Sequence, residues 1–344
     1  MSQAIRSEPL ISAKYLWFSL ILSAGTLGVL IYISYDPDSF RYLQWKRMHG
    51  FTIAALVMVL RLWFNAARIR LLSNNRLSWA AAWRVSVTWD FASSVTPSTI
   101  GGGPVASIAM TRENLNFGEA SAIVLYCIML EQIFLLIVIP FIMIVAIFVS
   151  VVPDTAGLLG EGVMLAIYIA LLLYAFILSY SVLIRPSFLK NAVSFIFSLP
   201  FLRKYKSSME AEAENLETYA IKLREKPRKF IVKAFLWSTL YWLTKISIIA
   251  IVVLSMLPAD PFITFIRSAA MTLAGMFIPT PGGSGGQEGL FYLFMDPLMG
   301  RPGFTALAVF MWRLISFYIV IAVGMMVMSW YMRSGLSKKY EQSQ

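Results

Sequence analysis

Eight ionisable side chains, Arg61, Arg84, Asp90, Glu131, Lys245, Arg267, Glu288 and Arg313, fall inside apolar stretches of this sequence. A charge held in hydrocarbon costs several kcal/mol unless it is paired or hydrated, so such residues usually line a polar cavity. Glu131 and Arg313 hold matched places downstream of Pro97 and Pro281, and a salt bridge between them is the plainest structural reading. Arg61 and Arg84 lie where long stems can snorkel to the aqueous boundary. Glu288 falls in the first turn of an expected helix, where an acid is favoured by the dipole alone. Asp90 can meet Arg84 only if the backbone between them is not a simple helix. Desolvation favours a neutral carboxyl, so Glu131 and Glu288 are the groups to examine for a proton-linked step. As a set, these charges suit a polar headgroup.

The backbone offers a second kind of chemistry. TPSTIGGGP (96–104) and PTPGGSGG (279–286) interrupt long apolar stretches. In the first, Gly101, Gly102 and Gly103 allow conformations that other residues avoid, and Pro104 suits the first position of a helix. In the second, Ser284 and Gln287 fit a capping box opening a helix at Gly285. Each break is therefore expected to present a helix N-terminus, with free N–H groups and partial positive charge, at depth in the membrane. Such an end attracts anions, phosphate included. The plainer alternative is that the glycines let helix arms pack closely. Two breaks in mirrored positions favour a ligand path.

Other chemistries are poorly served. Neither glycine-rich segment carries the Lys-Ser/Thr of a nucleotide P-loop, and no H-E-x-x-H or G-x-S-x-G is present. His49 is the one histidine and Cys127 the one cysteine. A metal site, an internal disulfide and most catalytic triads are thereby excluded, and no cofactor is expected. Cys127 sits in an apolar run and reads as a small core residue.

The elements that must position these residues are membrane helices. The chain is 58% hydrophobic and 14% charged, with a mean hydropathy of +0.71; a soluble domain is ~25% charged. Segments near 16–35, 49–67, 118–150, 162–184, 230–256 and 304–332 are long enough to cross ~30 Å of hydrocarbon, which takes ~20 helical residues. The third is long for a straight span, and Pro140 is expected to kink it unless its outer end projects. The stretch 187–202 reads as a helix in the interface. Residues 203–229 read as a short helix with an apolar stripe of Leu216, Tyr219 and Leu223, ended by Pro227.

The net charge of +11 does not point to nucleic acid, because the basic residues gather at segment ends. There they set topology and meet anionic lipid. Arg68, Arg70 and Arg76 at 68–78, the basic 203–229 link, and Arg333, Lys338 and Lys339 in the tail put both termini in the cytoplasm. The 36–48 link, with Arg41, Lys46 and Arg47, dissents. With that orientation the interrupted stretches 79–110 and 263–300 each enter and leave by one face, as re-entrant hairpins from opposite sides. Irregular backbone at such depth needs protein or a wet cavity around it. The order span, hairpin, span occurs twice, upside down, as in many secondary transporters. The expected units are 1–48, a first helix and link; 49–150, a first repeat; 151–229, a connection; 230–332, a second repeat; and 333–344, a tail.

IPTPGGSGGQEGLFYLF…ALAVFMWRLISFYIVIAVG resembles the membrane domain of the lysylphosphatidylglycerol synthase family, the flippase-like proteins related to the N-terminal half of the multiple peptide resistance factor. SSVTPSTIGGGPVASIAMTRENLNFGEASAIVLYCIMLEQ is similar to that family's first proline–glycine segment, and the likeness covers approximately 50–332. The resemblance implies translocation of aminoacylated phosphatidylglycerol, polyprenyl-phosphate glycolipids or other envelope lipids. It marks Pro281, Gly282, Gly283, Gly285, Glu288 and Arg313 in the second motif, and Pro97, Gly102, Gly103, Arg112 and Glu131 in the first. The sequence ends soon after its last apolar segment, so the expectation is of the translocating part without the aminoacyltransferase domain of longer members.

The expected fold is an all-α integral membrane protein with about six full transmembrane helices and two re-entrant helical hairpins in an inverted repeat. The expected role is a lipid flippase of the bacterial inner membrane, its partners being lipids with anionic headgroups. A homodimer and a lipid-modifying enzyme are compatible associates. A membrane enzyme acting on a lipid-linked headgroup, with Asp90, Glu131 or Glu288 as base, and a scaffold of a lipid-synthesis complex are the alternatives.

Overall fold

The computed structural model describes residues 13–33, 49–96, 101–149, 151, 157–198, 206–300 and 302–341. Pro97, the 36–48 link with Arg41, Lys46 and Arg47, and the basic residues Arg203 and Lys204 lie outside them.

All regular elements described are helices. The first part of the chain forms α1 (Ala13–Ile33), α2 (His49–Leu72), α3 (Trp79–Val95), α4 (Gly102–Arg112) and α5 (Phe117–Phe148). The middle forms α6 (Gly157–Ser179) with a π turn at Tyr180–Ile184, α7 (Pro186–Ser198) and α8 (Lys206–Arg224). The last part forms α9 (Arg228–Met256), α10 (Pro261–Gly275), α11 (Gly286–Met299), α12 (Pro302–Arg313) with a π turn at Leu314–Tyr318, and α13 (Ile319–Glu341).

Local sequence sets several starts. The Ser78, Asn116 and Asp260 side chains accept the N–H of Ala81, Glu119 and Ile263, closing the first turns of α3, α5 and α10. Each is a short polar residue able to satisfy a donor that has no partner within the helix. Among the described residues, four helices are long and apolar enough to cross a membrane: α2, α5, α9 and the run Gly303–Tyr331 through α12 and α13. α5 stays helical through Pro140 over 32 residues. α7 turns 102° away from the axis of residues 168–182, the geometry expected of a helix that leaves the bundle direction.

The two interrupted stretches behave alike. α3 and α4 have 17 and 11 residues, α10 and α11 have 15 and 14. Each is shorter than the ~20 residues a crossing takes, and in each pair the second helix packs back on the first. Packing in the two halves corresponds. α2 lies on α3 as α9 lies on α10, and α4 lies on α5 as α11 lies on α12. The two leading helices, α2 and α9, pack on one another along the centre.

Two expectations need correction. The second segment runs to Leu72, beyond 67, because Arg68, Ile69 and Leu72 are buried rather than part of an exposed basic link. The glycines of the first break all have negative φ, unlike Gly282, Gly283 and Gly285 of the second. What the first break needs is room. A Cβ on Gly102 would overlap the Ser93 hydroxyl and stand 2.9 Å from the Trp89 carbonyl oxygen.

The stripe on α8 is as expected: Leu216, Tyr219 and Leu223 are buried in the cluster formed by α3, α4 and the first half of α5. Tyr219 also donates to the Leu72 carbonyl at 2.8 Å. Cys127 is fully buried in the same cluster. Large apolar side chains such as Ile147, Phe148, Phe176 and Met326 point outward, as lipid contact requires.

The tight α3–α4 contact gives a direct test. Gly102→Val is expected to destabilise the protein by ~1–3 kcal/mol, the usual cost of overpacking. Gly289→Ala, with nothing within 4 Å of the added carbon, should leave stability unchanged or raise it. Thermal unfolding of the two variants in detergent checks the pair.

Candidate functional site

Three buried ion pairs define the interior. Arg61 on α2 meets Asp90 on α3 at 2.8 Å, although its N–H vectors are not aimed at that oxygen. Arg68, two turns further along the same face of α2, meets Glu131 on α5 at 2.7 Å. Arg313, the last residue of α12, meets Glu288 in the first turn of α11 at 2.7 Å.

Tyr241 of α9 links the first two pairs. Its hydroxyl lies 3.4 Å from Arg61 Nη2 and donates to Asp90 Oδ1 at 3.4 Å. The Arg61 and Arg68 guanidinium groups stand 5.2 and 5.1 Å from its ring centre. Asn65 accepts from Arg68 at 2.7 Å. Arg61, Asn65 and Arg68 follow the i, i+4, i+7 spacing of one helix face. That spacing is a signal available in the sequence, yet Arg68, Asn65 and Tyr241 were absent from the expected set.

Neither of the two pairings considered from the sequence forms. Glu131 does not reach Arg313; each has its own partner as above. Asp90 does not meet Arg84, because α3 is a regular helix and residues six apart face different directions. Arg84 instead grips Glu113 with two hydrogen bonds of 2.8 and 2.9 Å and lies 4.1 Å over the Trp330 ring. Arg61 does not snorkel, being buried on Asp90.

The second break is built around Arg313. Its guanidinium donates to the carbonyls of Gly282 and Gly283 at 3.2 and 3.4 Å while holding Glu288. Glu288, fully buried, also accepts from Ser23 at 3.0 Å and from the Gly285 N–H at 2.8 Å. Tyr318, in the π turn that follows Arg313, donates to Ser23 at 3.0 Å. π turns inside long helices often accompany functional sites. The expected capping box is shifted by one residue: α11 starts at Gly286, and Glu288 rather than Gln287 reaches back. The N-terminus of α11 thus holds an anion of its own.

Gly285 has φ 85° and ψ −57°, a region closed to residues with a Cβ. Gly282, at φ 59°, abuts the first hairpin: a Cβ there would stand 2.5 Å from the Ser94 carbonyl oxygen and 2.5 Å from Phe317. The second break therefore touches the last turn of α3.

Beside that contact lies a cavity of about 1110 Å³. Ser93, Ser94, Gly103 and Pro104 of the first hairpin line it, with Gly282, Gly283 and Gln287 of the second. Arg61, Asp90, Glu131, Lys245 and Arg313 bring charge to its wall, and Met209, Glu212 and Leu216 of α8 border it. Gly103 and Pro104 begin α4, which has no side-chain cap. Lys245 differs from the other charges. Among the described residues no carboxylate forms an ion pair with it, and its amine rests 4.6 Å from the Trp242 ring centre.

The remaining expected residues stand apart. Arg267 bonds the Phe294 carbonyl at 3.1 Å and ties α10 to α11. Arg112 lies beside Tyr331, 5.8 Å from its ring. Pro281, Gly285 and Glu288 do not line the cavity, and Pro97 is outside the described residues. No cluster of His, Cys, Asp and Glu suited to a metal ion occurs among the described residues.

Most of the sequence is similar to known membrane proteins. Residues 16–324 match the family described as the lysylphosphatidylglycerol synthase TM region. A UPF0104 membrane protein of Archaeoglobus fulgidus is 24% identical over 320 residues, which cover 87% of this chain and 94% of that protein. No solved structure matches the chain.

The reassigned pairs are separable by double-mutant cycles on detergent-solubilised protein. Arg313 and Glu288 are expected to couple by ~1–3 kcal/mol, and Arg313 and Glu131 by less than ~0.5 kcal/mol. Glu288→Gln alone should cost ~3–5 kcal/mol, since it leaves a buried guanidinium without its anion.

Proposed function

The chain belongs to the lysylphosphatidylglycerol synthase TM-region family, and we propose that it is a lipid flippase of the bacterial inner membrane. The observation that carries this reading is the cavity with Lys245 on its wall at the place where the two interrupted hairpins touch. A phosphate-bearing headgroup would enter the cavity, meet the unmatched ammonium of Lys245 and the open N-terminus of α4, and leave its acyl or prenyl tails in the surrounding lipid.

The architecture is read as two re-entrant hairpins from opposite faces. Support comes from arms too short to cross alone and from the contact of Gly282 with the Ser94 carbonyl. The corresponding packing of the two halves fits an inverted repeat, with a site near the midplane. Basic links at 70–76, around α8 and in the tail favour cytoplasmic termini. In this frame Arg313 and Glu288 build the second hairpin rather than carry the lipid, and Arg61, Asp90, Arg68 and Glu131 form a fixed polar wall. The Asp90 and Glu131 carboxylates each hold an arginine, so neither stands free as the base an enzyme would need.

Transport is tested with the purified chain in phosphatidylcholine vesicles containing a trace of acyl-chain-labelled phosphatidylglycerol, following access of an impermeant quencher to the inner leaflet. Protein-dependent exchange is expected. Lys245→Gln should slow it ~10–100-fold, the loss of one charged hydrogen bond of ~1.5–3 kcal/mol. Wild-type exchange in the variant would remove Lys245 from the path, and no exchange by the parent protein would remove the flippase reading.

A further inference from the structure

We propose that α8 is a hinged cover over one end of the cavity, latched shut by the bond between Glu212 and the start of α5. This goes beyond the translocation reading, because closure of the cavity can be measured without any lipid moving.

The cavity is one-sided. α5 lines it from Phe117, its first residue, to Gln132, a length of about 22 Å at ~1.5 Å per residue. Towards the other end of the bundle the wall stops at Gln132 on α5, Ile249 on α9 and Met271 on α10. Beyond those points Ile139, Val252, Met256 and Ile266 belong to one packed apolar core. At the start of α5 the wall includes α8, through Met209, Glu212, Ala213 and Leu216. The opposite face of α8 carries Glu210, Ala211 and Glu214, all exposed, so the wall there is one helix thick.

The two parts of α8 are held differently. Towards its C-terminus, Tyr219 donates to the Leu72 carbonyl at 2.8 Å and accepts from Asn74 at 3.2 Å, and Leu223 is fully buried. These residues, about two and three turns beyond Glu212, are the hinge. The stretch bordering the cavity is held to α5 through the Glu212 carboxylate, which accepts the Gly118 N–H at 2.8 Å. Gly118 is in the first turn of α5, where an N–H has no acceptor within the helix. Glu214 reaches Lys190 of α7 at 3.3 Å, an exposed pair of small worth. None of the three buried ion pairs includes a residue of α8, so α8 can lift while they stay closed.

The seat for α8 is a glycine. A Cβ on Gly118 would overlap the Glu212 carbonyl oxygen and stand 2.6 Å from the Leu216 nitrogen. Both are backbone atoms, so a larger residue pushes α8 away from α5. Cover, latch and seat meet at one point, at the end of the cavity that α8 closes.

Opening is read as access to a thiol on the cavity wall. Ser121→Cys, which lines the cavity about one turn beyond Gly118, is placed in a Cys127→Ala background. The full-length protein in detergent is then treated with a hydrophilic methanethiosulfonate. Thr218→Cys, at an exposed position of α8, reports the unhindered rate. With the latch intact, Ser121→Cys is expected to react at least ~10-fold more slowly than Thr218→Cys. Glu212→Ala should speed it ~10–100-fold, the loss of one charged hydrogen bond. Gly118→Ala should speed it too, and Glu212→Gln, which keeps an acceptor, should fall between; Thr218→Cys should keep its rate throughout. Equal rates for the two thiols with the latch intact, or no change in Glu212→Ala and Gly118→Ala, overturns the cover. Should those variants fail to fold, residue-resolved hydrogen exchange of the parent protein decides. The Gly118 N–H is held by α8, whereas the neighbouring Glu119 N–H is held by Asn116 of its own cap. Fraying of α5 frees both and lifting of α8 frees Gly118 alone, so ~10-fold weaker protection at Gly118 supports the cover and equal protection overturns it. Lipid exchange is scored separately: the cover can stand though no lipid moves, and can fall though lipid does.

Discussion

A helix broken in a buried place must find partners for its free N–H and C=O groups, and at the second break the Arg313–Glu288 pair supplies them. The guanidinium takes the Gly282 and Gly283 carbonyls, and the carboxylate takes the Gly285 N–H. Because the two side chains also bind each other, the loop, α11 and α12 are fixed by one polar knot. Ser23 and Tyr318 extend it to α1 and to the π turn. The first hairpin is tied in a similar way. Arg84 of α3 holds Glu113, just past α4, with two hydrogen bonds, and the Tyr331 hydroxyl of α13 donates to the same carboxylate at 2.8 Å. Both hairpins therefore depend on a charged pair and on residues distant in sequence.

The ion pairs also explain how the two halves of the chain stay distinct while sharing a cavity. Asp90 and Glu131 pair with Arg61 and Arg68, all in the first half, and Arg313 pairs with Glu288 in the second. The bridge between the halves is instead the packing of α2 on α9 together with polar contacts that cross between them: Tyr241 touches both Arg61 and Asp90, Ser23 donates to Glu288, and Tyr331 donates to Glu113. The ion pairs close within each half, and packing and hydrogen bonds join them.

This division accounts for what could be read from the chain beforehand. Four of the six expected spans and both helix interruptions were legible because hydropathy, proline and glycine report local conformation directly. The stripe of Leu216, Tyr219 and Leu223 was legible for the same reason, since helical spacing alone puts the three on one face. The charge partners were not. Matching Glu131 with Arg313 by their distances from equivalent prolines assumed that corresponding residues of two similar halves face each other. Correspondence gives equivalent places, not adjoining ones. Arg68 was missed because a basic residue near the end of an apolar run reads as topology, and only its contact with Glu131 reveals a buried role. Residues 97–100, Pro97 among them, lie outside the description, so that part of the first motif stays an expectation from sequence.

The unmatched Lys245 is the point at which stability and function diverge. Packing alone would favour an apolar residue there, because an ammonium on a partly buried wall loses hydration and gains a ring contact with Trp242 beside the longer-range attraction of Glu131 and Asp90. Such a contact is worth ~0.5–2 kcal/mol, less than the several kcal/mol by which a charge in hydrocarbon is disfavoured. The difference has to be met from the cavity, by water when it is empty of lipid or by an anion when it is filled. Of the two, an anion meets the charge in full, and it does so only while it sits within reach of this one side chain. On the flippase reading proposed above, a site whose arginines are already paired can bind a headgroup there without any arginine changing partner. On that reading the fold can remain rigid around its cargo, since the ion pairs that hold its helices are not the groups the cargo must engage and release.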